Sequence, residues 1–210
     1  MAGTKERILD ATAELFRRYG FTGTGLKQVV ASANAPFGSL YHFFPGGKVQ
    51  LGDEVVRRSG LMYEELVDGV WRQAADPIAG LEDVFMGAAE VLKETDFADA
   101  CPIATVALEV ASTNETLRQA TADVFESWID TATERLRDAG VPAGQARDLA
   151  LVTIELLEGA FIFCRAMRTT EPLEAACAAA TRLVTEAAAR ADPAGEHAPR
   201  TETQTARRTR

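Results

Sequence analysis

Apolar residues recur at intervals of three and four along most of this 210-residue chain. The first such run consists of Ile8, Ala11, Thr12, Leu15, Phe16 and Tyr19. This spacing places all six side chains on one face of an amphipathic α-helix. Gly20 follows directly, and glycine is common just beyond the last turn of a helix. The pattern therefore predicts a first helix that ends at Gly20.

Two much shorter segments follow, at residues 26–33 and 36–44. The residues between them, Asn-Ala, are typical of a tight turn. The second segment begins with proline, which is favoured in the first turn of a helix because its missing N–H has no helical partner there. A Pro-Gly-Gly sequence at 45–47 then ends it. The pattern predicts two short helices joined by a turn.

Longer amphipathic segments make up most of the remaining chain. Helices are predicted over residues 48–74, 78–92, 102–113, 117–136, 145–167 and 172–190. No alternation typical of strands is present, so the fold class is predicted to be all-α, with about nine helices. The predicted divisions are an N-terminal domain at 1–47 that contains the two short helices, a helical domain at 48–191 and a disordered tail at 192–210, which lacks apolar anchors.

The stretch PFGSLYHFFPGGK at 36–48 is suited to reading DNA. In a helix-turn-helix the second helix lies in the major groove, with its N-terminal residues close to the base edges. Gly38 and Ser39 allow that approach. Tyr41 and His42 can donate hydrogen bonds to phosphate oxygens, and Lys48 can reach the backbone from the other side. The inward partners are predicted to be Leu40 and Phe44, which pack on Val29, Val30 and Phe16.

Charge is unevenly distributed along the chain. The whole chain carries a net charge of −9, yet residues 1–50 carry +3 and residues 192–210 carry +1, which leaves −13 for the middle. The chain thus has a basic N-terminal part, residues 1–50, which we call the head, and an acidic middle part, which we call the body. This asymmetry supports DNA binding by the head and a different role for the body.

The sequence contains few features that indicate catalysis, metal binding or insertion into a membrane. The sequence has no P-loop, no dinucleotide-binding glycine motif, no G-x-S-x-G and no H-E-x-x-H. With only two histidines, His42 and His197, a zinc site is hard to build. We therefore predict no catalytic residue, no cofactor and no metal. Three unpaired cysteines, no signal peptide and no long apolar run predict a cytoplasmic protein without a membrane partner.

The first 55 residues resemble the TetR family of transcriptional repressors. The resemblance rests on ILDATAELFRRYGF, LKQVVASANAPFGSLYHFF and PGGKVQL, and CPIATVALEVAS with FGSLYHFFPGGK is similar to the LmrA/YxaF branch. It implies an N-terminal helix-turn-helix domain, a C-terminal ligand-binding and dimerisation domain, and a homodimer on a palindromic double-stranded DNA operator. The residues expected to contact DNA are Lys27, Gln28, Phe37, Gly38, Ser39, Tyr41, His42 and Lys48.

The acidic body is expected to dimerise and to bind a small hydrophobic or aromatic inducer. The resemblance implies a four-helix dimer interface, for which we select Leu149, Val152, Leu156, Ala160, Ala176, Ala180, Leu183 and Ala187. Aromatic and thioether side chains predict the pocket lining. The lining candidates are Met62, Phe85, Met86, Phe125, Trp128, Phe161 and Phe163, with polar groups from Thr105, Glu109, Cys164 and Arg165.

Two other functions fit the same residues. One is a DNA-binding architectural protein without ligand control, which the acidic body disfavours because non-specific binders are broadly basic. The other is a helical enzyme or ligand carrier whose first 50 residues merely imitate a helix-turn-helix. Absence of DNA binding at low salt would favour the second.

Overall fold

The computed structural model describes residues 3–191. Every regular element in that range is an α-helix, so the predicted all-α class is confirmed. The helices are α1 (Thr4–Gly23), α2 (Leu26–Ser32), α3 (Phe37–Phe43), α4 (Gly47–Gln73), α5 (Pro77–Glu94), α6 (Pro102–Val110), α7 (Glu115–Asp138), α8 (Ala143–Met167) and α9 (Glu171–Ala191). The tail predicted to be disordered, 192–210, lies outside the described residues.

Helix α1 is interrupted where the sequence predicts its end. Gly20 has φ 70° and ψ −177°, a conformation that is essentially restricted to glycine. Just beyond it, Phe21 sets its ring edge-to-face on Phe16, with the centroids 5.7 Å apart. Tyr19, predicted on the buried face, is instead 54% exposed. The ring that packs on Phe16 at this end of α1 is therefore that of Phe21.

Helices α2 and α3 form the predicted helix-turn-helix. Asn34 adopts a left-handed conformation with φ 47°, and the N–H of Ala35 donates to the carbonyl of Val30 at 2.9 Å. Leu40 and Phe44 are fully buried. The inward packing that the sequence predicts is confirmed, because one hydrophobic cluster contains Phe16, Val29, Val30, Leu40 and Phe44.

The same cluster joins the three-helix head to the body. Ile103, Val106 and Val110 of α6 belong to it, together with Leu51 and Val55 near the start of α4. A second cluster fills the far end of the body between α5, α7, α8 and α9, and it includes Trp71 from the end of α4. Helix α4 therefore contacts both clusters, while the domain boundary at 47/48 stays a prediction.

None of the helices between residues 3 and 191 combines the length and apolar character needed to cross a bilayer.

Candidate nucleic-acid interface

Seven of the eight residues predicted to contact DNA lie on α2 and α3, and the eighth, Lys48, lies at the start of α4. Lys27, Gln28, Phe37, Gly38, Tyr41 and His42 are exposed, and Ser39 and Lys48 are partly buried. Helix α3 has only seven residues, too few to be stable alone. Its orientation depends on Leu40 and Phe44, which anchor it from behind.

The aromatic residues of α3 divide between the two faces. Tyr41 is 49% exposed, and its ring lies edge-to-face on that of Phe37 at 5.7 Å between centroids. His42 is exposed next to Tyr41, with its ring 4.9 Å from that of the partly buried Phe43. Tyr41 and His42 can thus present polar atoms to a phosphate backbone.

Lys48 is held against the head. Its ammonium nitrogen lies 4.5 Å from the ring centroid of Phe21 and 3.5 Å from the carbonyl oxygen of Thr22. Burial lowers the pKa of Lys48, and the negative charge of Glu109 opposes that shift. A phosphate contact by Lys48 would require its side chain to turn outward from this position.

Glu109 links the body directly to the head. Its carboxylate, on α6, accepts a hydrogen bond from the backbone N–H of Thr22 at 2.6 Å, across 87 positions of sequence. The same carboxylate lies in the space that a Cβ atom on Gly20 would occupy. A shift of α6 would therefore move the end of α1, to which α2 is joined.

Ion pairs add to the contact between head and body. Lys5 of α1 lies 2.8 Å from Glu54 of α4, and Arg17 lies 3.0 Å from Asp99 in the segment before α6. Lys27, by contrast, makes no ion pair with any residue in 3–191 and is exposed on α2. Several positive charges of the head thus hold it to the body, while Lys27 stays available on the outward face.

Two family models match separate parts of the chain. The model of bacterial regulatory proteins of the tetR family matches residues 8–55. The model of the C-terminal domain of LmrA/YxaF-like transcriptional regulators matches residues 77–179.

The chain belongs to the TetR family of transcriptional regulators.

Relatives of known sequence agree with this assignment along most of the chain. YxaF of Bacillus subtilis, an uncharacterized HTH-type transcriptional regulator, is 31% identical over 170 residues, which cover 81% of this chain and 89% of YxaF. The transcriptional regulator LmrA of the same organism is 29% identical over 81% of this chain and 90% of LmrA. An uncharacterized HTH-type regulator of Mycobacterium tuberculosis is 34% identical over 83% of this chain and 90% of its own length.

Solved structures show the same fold. The regulatory protein TetR from Rhodobacter sphaeroides superposes with a TM-score of 0.77 at 21% identity, covering 84% of this chain and 96% of that one. A TetR transcriptional regulator from Legionella pneumophila superposes with a TM-score of 0.75 at 19% identity, covering 87% and 98%.

In this TetR-family regulator the side chains selected for a ligand pocket lie in several places. Phe85 and Cys164 are buried in the second cluster, with Phe161 packed against it. Phe125 and Trp128 pack against the first cluster, with ring centroids 5.7 Å apart. The structure thus divides these five candidates between two separate clusters.

The other pocket candidates are exposed or bonded to backbone. Met62, Met86 and Phe163 are about half exposed or more, at 50%, 44% and 61%. Arg165 donates to the carbonyls of Phe97 and Ala98 at 3.4 and 3.2 Å. The remaining two are the head-linking Glu109 and Thr105, whose hydroxyl donates to the carbonyl of Cys101 at 2.8 Å.

The sequence analysis missed a partly buried polar cluster in the body. Glu158 of α8 hydrogen-bonds Cys101, the residue before α6, and burial raises the pKa of Glu158 to about 7. Burial also raises the pKa of the Cys101 thiol well above its usual value. Tyr63 of α4 interacts with both Cys101 and Arg17, and burial raises its pKa. The available signal was that Glu158 is a carboxylate within the largely apolar stretch 149–164.

Replacing Glu158 with glutamine is expected to change how stability depends on pH. The folded carboxyl keeps a proton between about pH 4.5 and 7 that the unfolded one has lost. The contribution of this carboxyl to the free energy of unfolding is therefore fully present below pH 4.5 and is lost as pH rises through 7. The loss amounts to at most about 3 kcal/mol. Urea unfolding of both proteins at pH 5 and pH 8, at one protein concentration, measures it. Equal differences between wild type and Glu158→Gln at the two pH values would contradict the assignment.

The residues selected for the dimer interface differ in accessibility within one subunit. Leu149, Val152, Leu156 and Leu183 are partly buried, whereas Ala160, Ala176, Ala180 and Ala187 are buried. These four alanines belong to the second cluster, so they are already buried by contacts within one subunit. Exposed apolar side chains on α8 are instead Ile162, Phe163 and Met167, each more than half exposed.

Proposed function

We propose that this TetR-family regulator is a dimeric repressor that binds a palindromic operator and releases it when a small hydrophobic or aromatic compound binds in the body. The observation that carries the DNA-binding part is the outward face of α3. There Gly38, Tyr41 and His42 are exposed while Leu40 and Phe44, on the opposite face, are fully buried. A similar protein, DhaR of a Mycobacterium species, is named a transcriptional repressor, at 22% identity.

Dimerisation follows from how little DNA one short helix can read. Two heads related by a two-fold axis would reach successive turns of the major groove and read two half-sites. The exposed Ile162, Phe163 and Met167 of α8 offer apolar surface for a second copy, alongside the partly buried positions selected on α8 and α9. An operator on chromosomal DNA is consistent with action in the cytoplasm.

Release would work by a shift between two arrangements of head and body. A ligand that binds one arrangement more tightly than the other shifts the protein toward that arrangement and so changes its affinity for the operator. The coupling free energy between two such sites is typically about 1–3 kcal/mol. Phe125 and Trp128, which are partly buried with their rings edge-to-face, supply aromatic surface in the body for such a ligand. The hydrogen bond from the N–H of Thr22 to the carboxylate of Glu109 is one contact through which a movement of α6 would reach the head, in addition to the apolar packing of α6.

Fluorescence anisotropy with DNA from upstream of the protein's own gene tests the proposal. We expect saturable binding that survives scrambled competitor, with two subunits per site or a multiple of two. Equal loss of binding to specific and scrambled competitor would contradict operator recognition. Aromatic compounds titrated into the complex then test release. A compound that binds the protein and leaves operator affinity unchanged would contradict ligand control.

Replacing Tyr41 with phenylalanine is expected to weaken operator binding about 10- to 100-fold, because each subunit loses a hydrogen bond to a charged phosphate. The uncharged hydroxyl releases no counterion, so the salt dependence of binding should stay unchanged. Lys48→Gln is the matched comparison, because removing one cation per subunit should lower the salt slope by about 1.8 per dimer. Anisotropy titrations of the three proteins across a salt series measure both effects. Unchanged affinity of Tyr41→Phe would rule out the phosphate contact.

A further inference from the structure

An aromatic side chain without a polar atom stands on the DNA-facing surface of the head. Phe37 is the first residue of α3 and is 43% exposed. It belongs to neither hydrophobic cluster, although Leu40, Phe43 and Phe44 of the same segment all pack into the first one. Its exposure is therefore not explained by the packing of the head.

The position of Phe37 is defined by its neighbours on the helix. Tyr41, one turn later, lies edge-to-face with it at 5.7 Å between centroids, so the two rings share the outward face. Between them, Gly38 has open space where a Cβ atom would be, with no atom within 4 Å. The backbone of α3 can thus come close to DNA at this point, with the phenyl ring beside it.

The chemistry of the ring limits what it can recognise in the major groove. A phenyl group neither donates nor accepts a conventional hydrogen bond, so it cannot satisfy the polar edges of guanine, cytosine or adenine. The thymine 5-methyl group is the apolar feature that a base edge presents there, and phenylalanine is among the side chains that contact it. Phosphate oxygens are equally unsuitable partners, because they would lose hydration without compensation.

We propose that Phe37 reads the 5-methyl group of one thymine in each operator half-site. This inference rests on the proposed operator binding and adds to it a specificity-determining residue and the base that it selects. Tyr41 contacts the phenyl ring edge-to-face on the same outward face and separately donates to phosphate. Each half-site of the operator is therefore expected to contain a thymine at the same position, and the 5-methyl group of that thymine is expected to contact the phenyl ring of Phe37.

The test uses the full-length protein and a DNA site selected from random sequence. Each thymine of that site is replaced in turn by deoxyuridine, which removes one methyl group and leaves every hydrogen-bonding atom in place. We expect one thymine per half-site to be sensitive, with affinity falling about fourfold per methyl and about fifteenfold when both half-sites are changed. If no thymine is sensitive, the inference is overturned.

A double-mutant cycle assigns the methyl contact to Phe37. In Phe37→Ala the same thymine should become insensitive to deoxyuridine, whereas Phe37→Leu should retain part of the sensitivity. A merely structural role would lower affinity for thymine and deoxyuridine sites equally, and that result overturns the inference. If Phe37→Ala binds too weakly to measure, Phe37→Lys decides instead. Its selected site should change from thymine to guanine, because lysine bonds the O6 and N7 atoms of guanine.

Failure of this inference and failure of the proposed function are distinguishable. A protein that enriches no sequence from random DNA does not bind an operator, and both proposals fall together. A protein that enriches a palindrome whose methyl groups do not matter remains an operator-binding protein, and only the role of Phe37 is lost.

Discussion

Replacing Phe44 with alanine is expected to lower the free energy of unfolding by about 3–5 kcal/mol, the usual cost of truncating a fully buried phenylalanine. Phe44 is fully buried directly after α3, in the cluster that also contains Phe16 and Leu40. Removing the ring leaves a cavity behind a helix of only seven residues, which has little stability of its own. Operator binding should also be lost at protein concentrations that saturate with the wild type. Urea unfolding followed by circular dichroism, together with anisotropy on the operator, measures both effects.

Tyr41→Phe, already described, is the matched control for Phe44→Ala. It removes an exposed hydroxyl group on α3, three residues before Phe44, and should leave the unfolding free energy within about 0.5 kcal/mol of the wild type. The two variants therefore separate loss of a DNA contact from loss of the scaffold that presents it. Wild-type stability in Phe44→Ala would contradict the packing described for the head.

Replacing Gly20 with alanine is expected to lower the free energy of unfolding by about 2–3 kcal/mol. Gly20 has φ 70° and ψ −177°, so a Cβ atom would strain the backbone. The new methyl group would also occupy the space of the Glu109 carboxylate and displace it from the N–H of Thr22. Because that hydrogen bond joins α6 to the head, we further expect any ligand effect on operator affinity to become smaller. Unfolding curves and operator affinities with and without a releasing compound measure the two consequences.

Gly23→Ala provides the control, three residues away at the end of α1. A Cβ atom there would meet only the Cβ of Tyr19, at the ordinary contact distance of 3.4 Å, and no positive φ is involved. The substitution should be neutral, or stabilising by up to about 1 kcal/mol. Equal destabilisation by the two substitutions would show that neither the backbone of Gly20 nor Glu109 is responsible.

The DNA-reading face was largely predictable because its signals are local. Leu40 and Phe44 lie four residues apart, which places them on one side of a helix whatever surrounds it. Gly20 and the Pro-Gly-Gly sequence at 45–47 impose or permit backbone conformations that interrupt helices near their own positions. The exposure of Tyr41 and His42 then follows, because the opposite side of α3 is occupied by the core.

The body was predictable in outline only. Its six helices, α4 to α9, follow from the same periodicity, and each begins and ends within a few residues of the predicted positions. Asp-Pro, Cys-Pro and Gly-Val-Pro sequences mark the boundaries before α5, α6 and α8. A set of aromatic residues in the middle helices, however, does not specify a pocket. Phe85 and Phe125 satisfy the same pattern and lie in different clusters.

The sequence by itself therefore determined the helices, the helix-turn-helix and the inward and outward sides of α3, since each depends on residues a few positions apart. The tertiary structure alone decided the partners of Glu109 and Glu158, and the burial of Ala176 and Ala180 within one subunit. The physical reason is that periodicity defines which face of a helix is apolar, whereas the element that covers that face is chosen by long-range packing. Glu109 illustrates the difference: its role depends on a backbone N–H 87 positions away, which no local pattern encodes.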